Sequence, residues 1–215
     1  MTHSYRETRQ QYLRQVLASY SQMLCDIEVN IITDEAHQDK IKLLETNFPL
    51  QSHNFQIKIV SFPNLPHPWL LTWGHKQVFK QKFNDLQYTH FICSEDDIEV
   101  RKNNIDYWLE HRQRLEGTGF YPSFLRVEYN SIFKSWRSTD LTENIILNQT
   151  PVLTVDNRHY SYLNLKNPYQ GIFMYDRILM KEHMQSDTFD ILKYGGIETL
   201  DMYPGWGGGR CSGKG

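Results

Sequence analysis

The stretch Tyr88-Thr89-His90-Phe91-Ile92-Cys93-Ser94-Glu95-Asp96-Asp97 decides how the chain is interpreted, because a short apolar run leads directly into three consecutive carboxylates. The run 88–93 contains no Asp, Glu, Lys or Arg, which is typical of a buried central strand. Adjacent carboxylates repel one another, and a divalent cation resolves this repulsion while sharing its remaining positions with phosphates. The alternative is a solvated acidic loop before a helix predicted near Asn103, where acids stabilise the helix start.

Strand and helix patterns alternate on both sides of this stretch. Four further segments have strand patterns: 27–32, 55–62, 123–127 and 151–155. Three segments have apolar residues at helical spacing, 7–23, 75–87 and 103–115, with Leu86 expected on the apolar face of the second and Leu109 on the inward face of the third. This alternation predicts an α/β fold with a mostly parallel central sheet flanked by helices. Ligands of such sheets bind beyond the carboxyl ends of the strands. We therefore expect Thr33-Asp34 and Glu95-Asp96-Asp97 to lie at the same edge.

Composition narrows the class of protein. The chain of 215 residues suits one sizeable domain, for which we expect bounds of 1–204, followed by a Gly-rich tail at 205–215. Lys plus Arg number 23 and Asp plus Glu number 25, so the near-neutral charge argues against nucleic-acid binding. The three cysteines show no CxxC spacing, and no apolar stretch is long enough to span a bilayer. These features predict a cytoplasmic protein without a transmembrane segment.

The segment 91–100 resembles the metal-binding segment of GT-A fold glycosyltransferases, in the Glu-Asp-Asp variant of their DxD motif found in the N-acetylglucosaminyltransferase I type. Three other segments are similar to such enzymes: Tyr5-Arg6, Trp73-Gly74-His75-Lys76 and Asn167-Pro168-Tyr169-Gln170-Gly171. The resemblance implies a single GT-A (Rossmann-like) domain. It also implies transfer of a sugar from a nucleotide-sugar donor, expected to be UDP-linked, to a saccharide or glycan acceptor. The implied cofactor is Mn²⁺ or Mg²⁺.

Residue roles follow from the same resemblance. It implies that Asp97 ligates the metal, while Glu95 and Asp96 contact the ribose or sugar, or position metal-bound water. Thr33 and Asp34 would lie near the base and ribose. The candidates for contacts with the nucleotide and its phosphates are Arg6, Arg9, His75 and Lys76. For each of these a surface charge is the competing interpretation, and His75 fits a helix-capping or core histidine equally well.

An inverting transferase needs a general base to deprotonate the acceptor hydroxyl. Glu198 is the first candidate and Asp201 the second, because both follow the turn signal Gly195-Gly196, roughly where the resembling enzymes carry a catalytic carboxylate. A retaining enzyme would need no such base, so the stereochemistry stays open, with inversion favoured. The aromatic residues that could stack on acceptor rings are Trp136, Tyr160, Tyr162 and Tyr169.

The sequence departs from the GT-A pattern in two places. Such a domain opens with a strand, but here the helical pattern begins within a few residues of Met1, so that strand is expected to be very short or to lie upstream. No histidine follows His183 to act as a late metal ligand. Two other classes stay open: a sugar-phosphate nucleotidyltransferase, whose usual Gly-rich basic loop is not seen, and a non-catalytic nucleotide- or carbohydrate-binding relative.

Overall fold

The computed structural model describes residues 1–3, 7–46, 52–65, 68–138, 152–155, 157–162 and 171–189. The helices are α1 (Gln10–Ser21), α2 (Gln38–Thr46), α3 (Gly74–Phe83), α4 (Lys102–Arg114) and α5 (Arg177–Gln185), with 3-10 turns at Glu7–Arg9, Pro68–Trp73 and Asp187–Phe189. The strands are β1 (Thr2–His3), β2 (Ile27–Thr33), β3 (Phe55–Ser61), β4 (His90–Ser94), β5 (Glu128–Asn130), β6 (Ser135–Arg137), β7 (Val152–Val155), β8 (Arg158–Ser161) and β9 (Ile172–Asp176).

The chain divides into two compact units. Unit 1 comprises residues 1–107 and 171–215, and unit 2 comprises residues 108–170, so the division falls inside α4. Among the helices of the described ranges, none has both the length and the apolar character that a membrane crossing requires.

Unit 1 contains a three-stranded parallel sheet in the order β1-β2-β3. Strands β2 and β3 pair along their whole length, from Ile27 opposite Phe55 to Thr33 opposite Ser61. Strand β1 adds only two residues on the other side of β2. The first strand is therefore present and very short, which is one of the two alternatives expected from the sequence; the other was a strand upstream.

Strand β4 pairs antiparallel with β9, from His90 opposite Asp176 to Ser94 opposite Ile172. A single parallel β-bridge joins Thr2 of β1 to Glu95, the residue after β4. The α/β class is thus confirmed, but the described residues do not form one large, mostly parallel sheet. Because β1 is so short, its contact with β4 is one bridge rather than a ladder. The GT-A fold stays a prediction.

Helix α1 forms because its apolar residues recur on one face. Leu13, Val16, Leu17 and Tyr20 are buried, whereas Tyr12 is half exposed. Helix α3 buries Val78, which clusters with Ile32 of β2 and with Leu71. The expected extension of this helix to residue 87 is wrong, because α3 ends at Phe83 and Leu86 lies beyond it, 78% exposed.

Arg177, the first residue of α5, fixes the entry into β4. Its guanidinium donates to the backbone carbonyls of Phe83 (2.8 Å) and Tyr88 (2.8 Å), joining the end of α3 to the residues before β4. Asp176 caps the same helix by accepting from the backbone N–H of Leu179 at 2.7 Å. These contacts hold β4, β9 and the two helices together at the end of β4 opposite the acidic segment.

Unit 2 contains two antiparallel hairpins, β5-β6 and β7-β8. Its Trp108 is buried and donates through Nε1 to the carbonyl of Pro122 at 3.0 Å. Two sequence-based expectations fail here. Leu109 is 41% exposed instead of facing inward, and residues 123–127 carry no strand, which begins only at Glu128.

Candidate functional site

The acidic segment lies at the carboxyl end of β4, and two contacts fix its backbone. The N–H of Glu95 donates to the carbonyl of Gly171 at 3.0 Å. The buried hydroxyls of Ser94 and Tyr20 hydrogen-bond at 2.9 Å, which ties the last residue of β4 to α1. Since β1 bridges to Glu95 and pairs with Thr33, both acidic strand ends lie beside it, as predicted.

Asp96 is 2% exposed, and its carboxylate is paired with Arg9. Arg9 Nε donates to Asp96 Oδ2 at 3.1 Å, and Arg9 Nη2 donates to Asp96 Oδ1 and to Asp97 Oδ2, the latter at 3.0 Å. These hydrogen bonds, above all the one to Asp96, raise the pKa of Arg9 above its usual value. Arg9 was expected to contact phosphates; the structure places it on the acidic segment, where it neutralises the buried carboxylate.

The side chains around Asp97 decide whether a metal ion could bind beside it. No group of three or more His, Cys, Asp or Glu side chains is arranged as a metal site within the described ranges. The Asp97 side chain is 39% exposed, and Asp96 adjoins it in the chain. Such residues do not build a closed protein cage, but they fit Mg²⁺, which is bound through one or two carboxylates together with substrate phosphates. The metal role of Asp97 that the resemblance implies stays a prediction.

The end of β2 is organised by a glutamate that the sequence analysis did not select. Glu35 is buried and accepts from the His37 backbone N–H (2.9 Å) and from Lys40 Nζ (3.2 Å). The hydrogen bond from the His37 backbone does most to lower the pKa of Glu35 to about 2. Thr33 is fully buried, and its hydroxyl accepts from the Glu35 N–H at 3.3 Å. Of the two predicted nucleotide contacts here, only Asp34 is partly exposed.

His75 and Lys76 are buried side chains of α3, with 3% and 5% exposure. His75 Nδ1 lies 2.5 Å from the carbonyl of Thr72, and burial lowers the pKa of His75 to about 3, with the nearby charge of Lys76 acting in the same direction. The interpretation of His75 as a core histidine is thereby confirmed. Lys76 Nζ lies 3.5 Å from the centroid of the Trp73 ring, a cation–π contact. Neither side chain is a surface charge, and their contact with a nucleotide stays a prediction.

A narrow cavity of about 10 Å³ adjoins Glu95, which is close to the least volume that holds one water molecule. It is lined by Thr2, Thr72, His75, Cys93, Ser94, Glu95, Gly171 and Phe173. The cavity shows that the end of β4 meets β1, α3 and β9 at one point of unit 1. His75, although it is not a surface residue, lies at this point too.

Gly171 is a further residue on which the site depends. Its φ is +58°, and a Cβ at this position would lie 2.7 Å from Ile98 Cδ1 and 3.1 Å from the carboxyl carbon of Glu95. Glycine is therefore required by both backbone conformation and space. From the sequence, Gly171 stands out only as the last residue of the segment 167–171 that resembles GT-A enzymes.

Three of the predicted site residues, Arg6, Glu198 and Asp201, lie outside the described residues, as does the Gly-rich tail at 205–215. In comparisons with known proteins, no family model matches the chain, and no curated protein or solved structure matches it.

Proposed function

We propose that the chain is a metal-dependent glycosyltransferase that moves a sugar from a nucleotide-sugar donor, UDP-linked in the first instance, to a saccharide or glycan acceptor. The observation that carries the proposal is the position of Glu95-Asp96-Asp97, at the carboxyl end of β4 and beside the ends of β1 and β2. This is the edge of an α/β fold at which ligands bind. The buried Asp96 needs a cation at that edge, and Arg9 occupies the position.

The residues around the segment keep it in place without taking part in the chemistry. The Tyr20–Ser94 hydrogen bond and the Glu95–Gly171 hydrogen bond anchor the two residues before Asp96. A site held by a helix and two strands presents its carboxylates in one geometry, which favours binding because little ordering is left to be done.

Asp97, with Asp96 beside it, would hold Mn²⁺ or Mg²⁺ at this edge. When bound, such a metal offsets the charge that develops on the departing nucleoside diphosphate. Arg9 has two roles in this proposal. Without donor it neutralises Asp96, and with donor it moves from the carboxylates to the diphosphate, an anion that a guanidinium binds in two-point fashion.

The acceptor hydroxyl needs a base, for which Glu198 is the first candidate and Asp201 the second. Both assignments, and inversion of the anomeric centre, are parts of the proposal that depend on the sequence alone.

Thermal stability tests the donor site directly. The protein is heated with a panel of nucleoside diphosphates and nucleotide sugars, with and without Mn²⁺, as the wild type and as the variants Asp97→Asn and Glu99→Gln. Glu99 is the matched control, because it is an exposed acid of the same segment paired only with Arg101 in the described residues. Ligand at about 100 times its dissociation constant adds about 2.7 kcal/mol of stability.

We expect one nucleotide to stabilise the wild type and Glu99→Gln, only in the presence of metal, and to leave Asp97→Asn unchanged. Release of the nucleoside diphosphate from the sugar donor then identifies a transferase, whereas release of pyrophosphate from a nucleoside triphosphate identifies a nucleotidyltransferase. Metal-independent binding, or equal binding by Asp97→Asn, contradicts the proposed site.

A further inference from the structure

The β5-β6 hairpin of unit 2 presents an ordered turn at residues 131–134. Its strands pair Tyr129 with Trp136 and Asn130 with Ser135. Asn130 Oδ1 accepts from the backbone N–H groups of Ile132 and Phe133, both at 3.1 Å, and Lys134 completes the turn at a φ of +49°. The side chain of Asn130 thus fixes the tip, so the residues at the tip are held outward by a defined turn.

The side chains on this hairpin are apolar and exposed. Ile132 is 83% exposed, Trp136 68%, Phe133 58% and Tyr129 55%. The Tyr129 and Trp136 rings pack edge to face, with centroids 5.6 Å apart, and so support each other. Exposed large apolar residues are concentrated here more than elsewhere in the described residues, and such a concentration marks an interaction surface.

The charges of the hairpin indicate the partner. The segment 126–138 carries three cations and one anion, although the whole chain is slightly negative. Arg126 Nε lies 3.7 Å from Glu128 Oε1, so these two charges offset each other at the base of the hairpin. Lys134 and Arg137 are left beside the exposed apolar residues, and the Arg137 guanidinium lies 3.8 Å from the Phe133 ring centroid. The partner is therefore expected to be apolar and anionic.

An anionic lipid surface has this combination. Ile and Phe side chains enter the acyl boundary, Trp and Tyr rings lie at the level of the headgroups, and cations bind anionic headgroups. We propose that the tip of hairpin 128–137 inserts into the interface of an anionic bilayer and holds the protein on that surface. A saccharide fits less well, because the most exposed of the four apolar side chains of this hairpin is Ile132, which offers neither an aromatic face nor a hydrogen bond.

Vesicle co-sedimentation of the full chain tests the proposal. We expect binding to phosphatidylserine vesicles that weakens as salt is raised, and weaker binding to phosphatidylcholine vesicles. The double variant Ile132→Ser/Phe133→Ser is expected to lower the affinity at least about tenfold, because two apolar side chains no longer leave water. Lys134→Gln and Arg137→Gln should each lower it about fivefold on the anionic vesicles.

The matched control is Leu24→Ser/Leu86→Ser, which removes two exposed apolar side chains from unit 1, 86% and 78% exposed, and should bind as the wild type does. Circular dichroism checks that every variant is folded. Absence of vesicle binding by the wild type, or unchanged binding by Ile132→Ser/Phe133→Ser, overturns the proposal. Self-association of the wild type without lipid also overturns the proposal if Ile132→Ser/Phe133→Ser abolishes it, because a second copy of the chain would then cover the hairpin. Saccharide binding lost in Trp136→Ala, without vesicle binding, overturns it as well.

Discussion

Arg9 and Asp96 form a two-point ion pair in which the guanidinium donates to both carboxylate oxygens. The Asp96 side chain is buried at 3% exposure, whereas the Arg9 side chain is 35% exposed. The pair therefore consists of a fixed anion and a cation that solvent reaches. Removing the cation leaves an uncompensated buried charge, which is much more costly than losing a surface ion pair.

Arg9→Met should accordingly lower the free energy of unfolding by about 3 kcal/mol in metal-free buffer. Mn²⁺ should restore more stability to this variant than to the wild type, because the metal no longer competes with the guanidinium. Urea unfolding with and without Mn²⁺ measures both effects. Arg101→Met is the control, since Arg101 pairs with the exposed Glu99 and its loss should cost less than about 1 kcal/mol. Equal stability of Arg9→Met and Arg101→Met would contradict the argument.

Gly171→Ala should destabilise the protein by about 2–3 kcal/mol, because it adds a steric clash to a left-handed backbone. Gly117→Ala separates the two contributions. Gly117 also has a positive φ, +74°, but nothing lies within 4 Å of its would-be Cβ, so only the backbone cost of about 1 kcal/mol is expected. Urea unfolding of both variants gives the difference. If Gly171→Ala and Gly117→Ala lower the free energy of unfolding equally, crowding against Glu95 and Ile98 is not important.

Glu28, at the opposite end of β2, should contribute to the loss of stability in acid, together with Glu35, whose pKa is also about 2. Burial alone would raise its pKa, but hydrogen bonds from Lys58, Lys82, Asn30 and Tyr88 outweigh burial and hold the pKa of Glu28 at about 2. Because this pKa is below the usual 4.5, the stabilisation is fully present above pH 4.5 and is lost as the pH falls towards 2.

Glu28→Gln should therefore cost about 2 kcal/mol at pH 7 and make stability less dependent on pH between 4.5 and 2. Urea unfolding across that range measures this dependence. The exposed Glu116→Gln serves as the control and should follow the wild type throughout. If the stability of Glu28→Gln depends on acid pH as strongly as that of the wild type, other carboxylates cause this dependence.

Tyr20 should contribute to the loss of stability in alkali. Burial raises the pKa of Tyr20 to about 12, although the hydrogen bond with Ser94 opposes the shift. Its contribution is present below pH 10, the usual pKa, and is lost as the pH rises towards 12. Tyr20→Phe should cost about 1 kcal/mol at pH 7 and remove this alkaline loss. Tyr12→Phe, on the exposed side of the same helix, should retain it; alkaline unfolding curves of the two variants make the comparison.

Periodicity predicted the elements whose pattern is strong. The apolar positions of α1 and the β-branched residues of β2 have one clear period each, and both elements formed close to the expected bounds. Helix α2 was missed, because it buries only Leu44 among the side chains described and gives a weak pattern. Leu86 and Leu109 were placed inward on periodicity alone, but one follows the helix end and the other faces solvent.

The candidate site was predictable only where its residues are neighbours in the sequence. Glu95, Asp96 and Asp97 directly follow one apolar strand pattern, so their position could be predicted from the sequence. The pairing of Arg9 with Asp96 joins residues 87 apart in the chain, and no local pattern encodes such a contact. The burial of Lys76 likewise depends on tertiary packing, which overrides the usual exposure of a lysine, although its cation–π partner Trp73 is a near neighbour in the chain.

The pairing of β4 with β9 has a consequence for synthesis on the ribosome. Strands β2 and β3 can pair as soon as the first part of the chain has emerged, but β9 follows β4 only after the whole of unit 2 has been made. Until then β4 has an open edge, which is prone to pair with other chains. The strand that leads into Glu95-Asp96-Asp97 is thus completed late, and its edge stays open to aggregation for as long as the ribosome takes to synthesise residues 95–176.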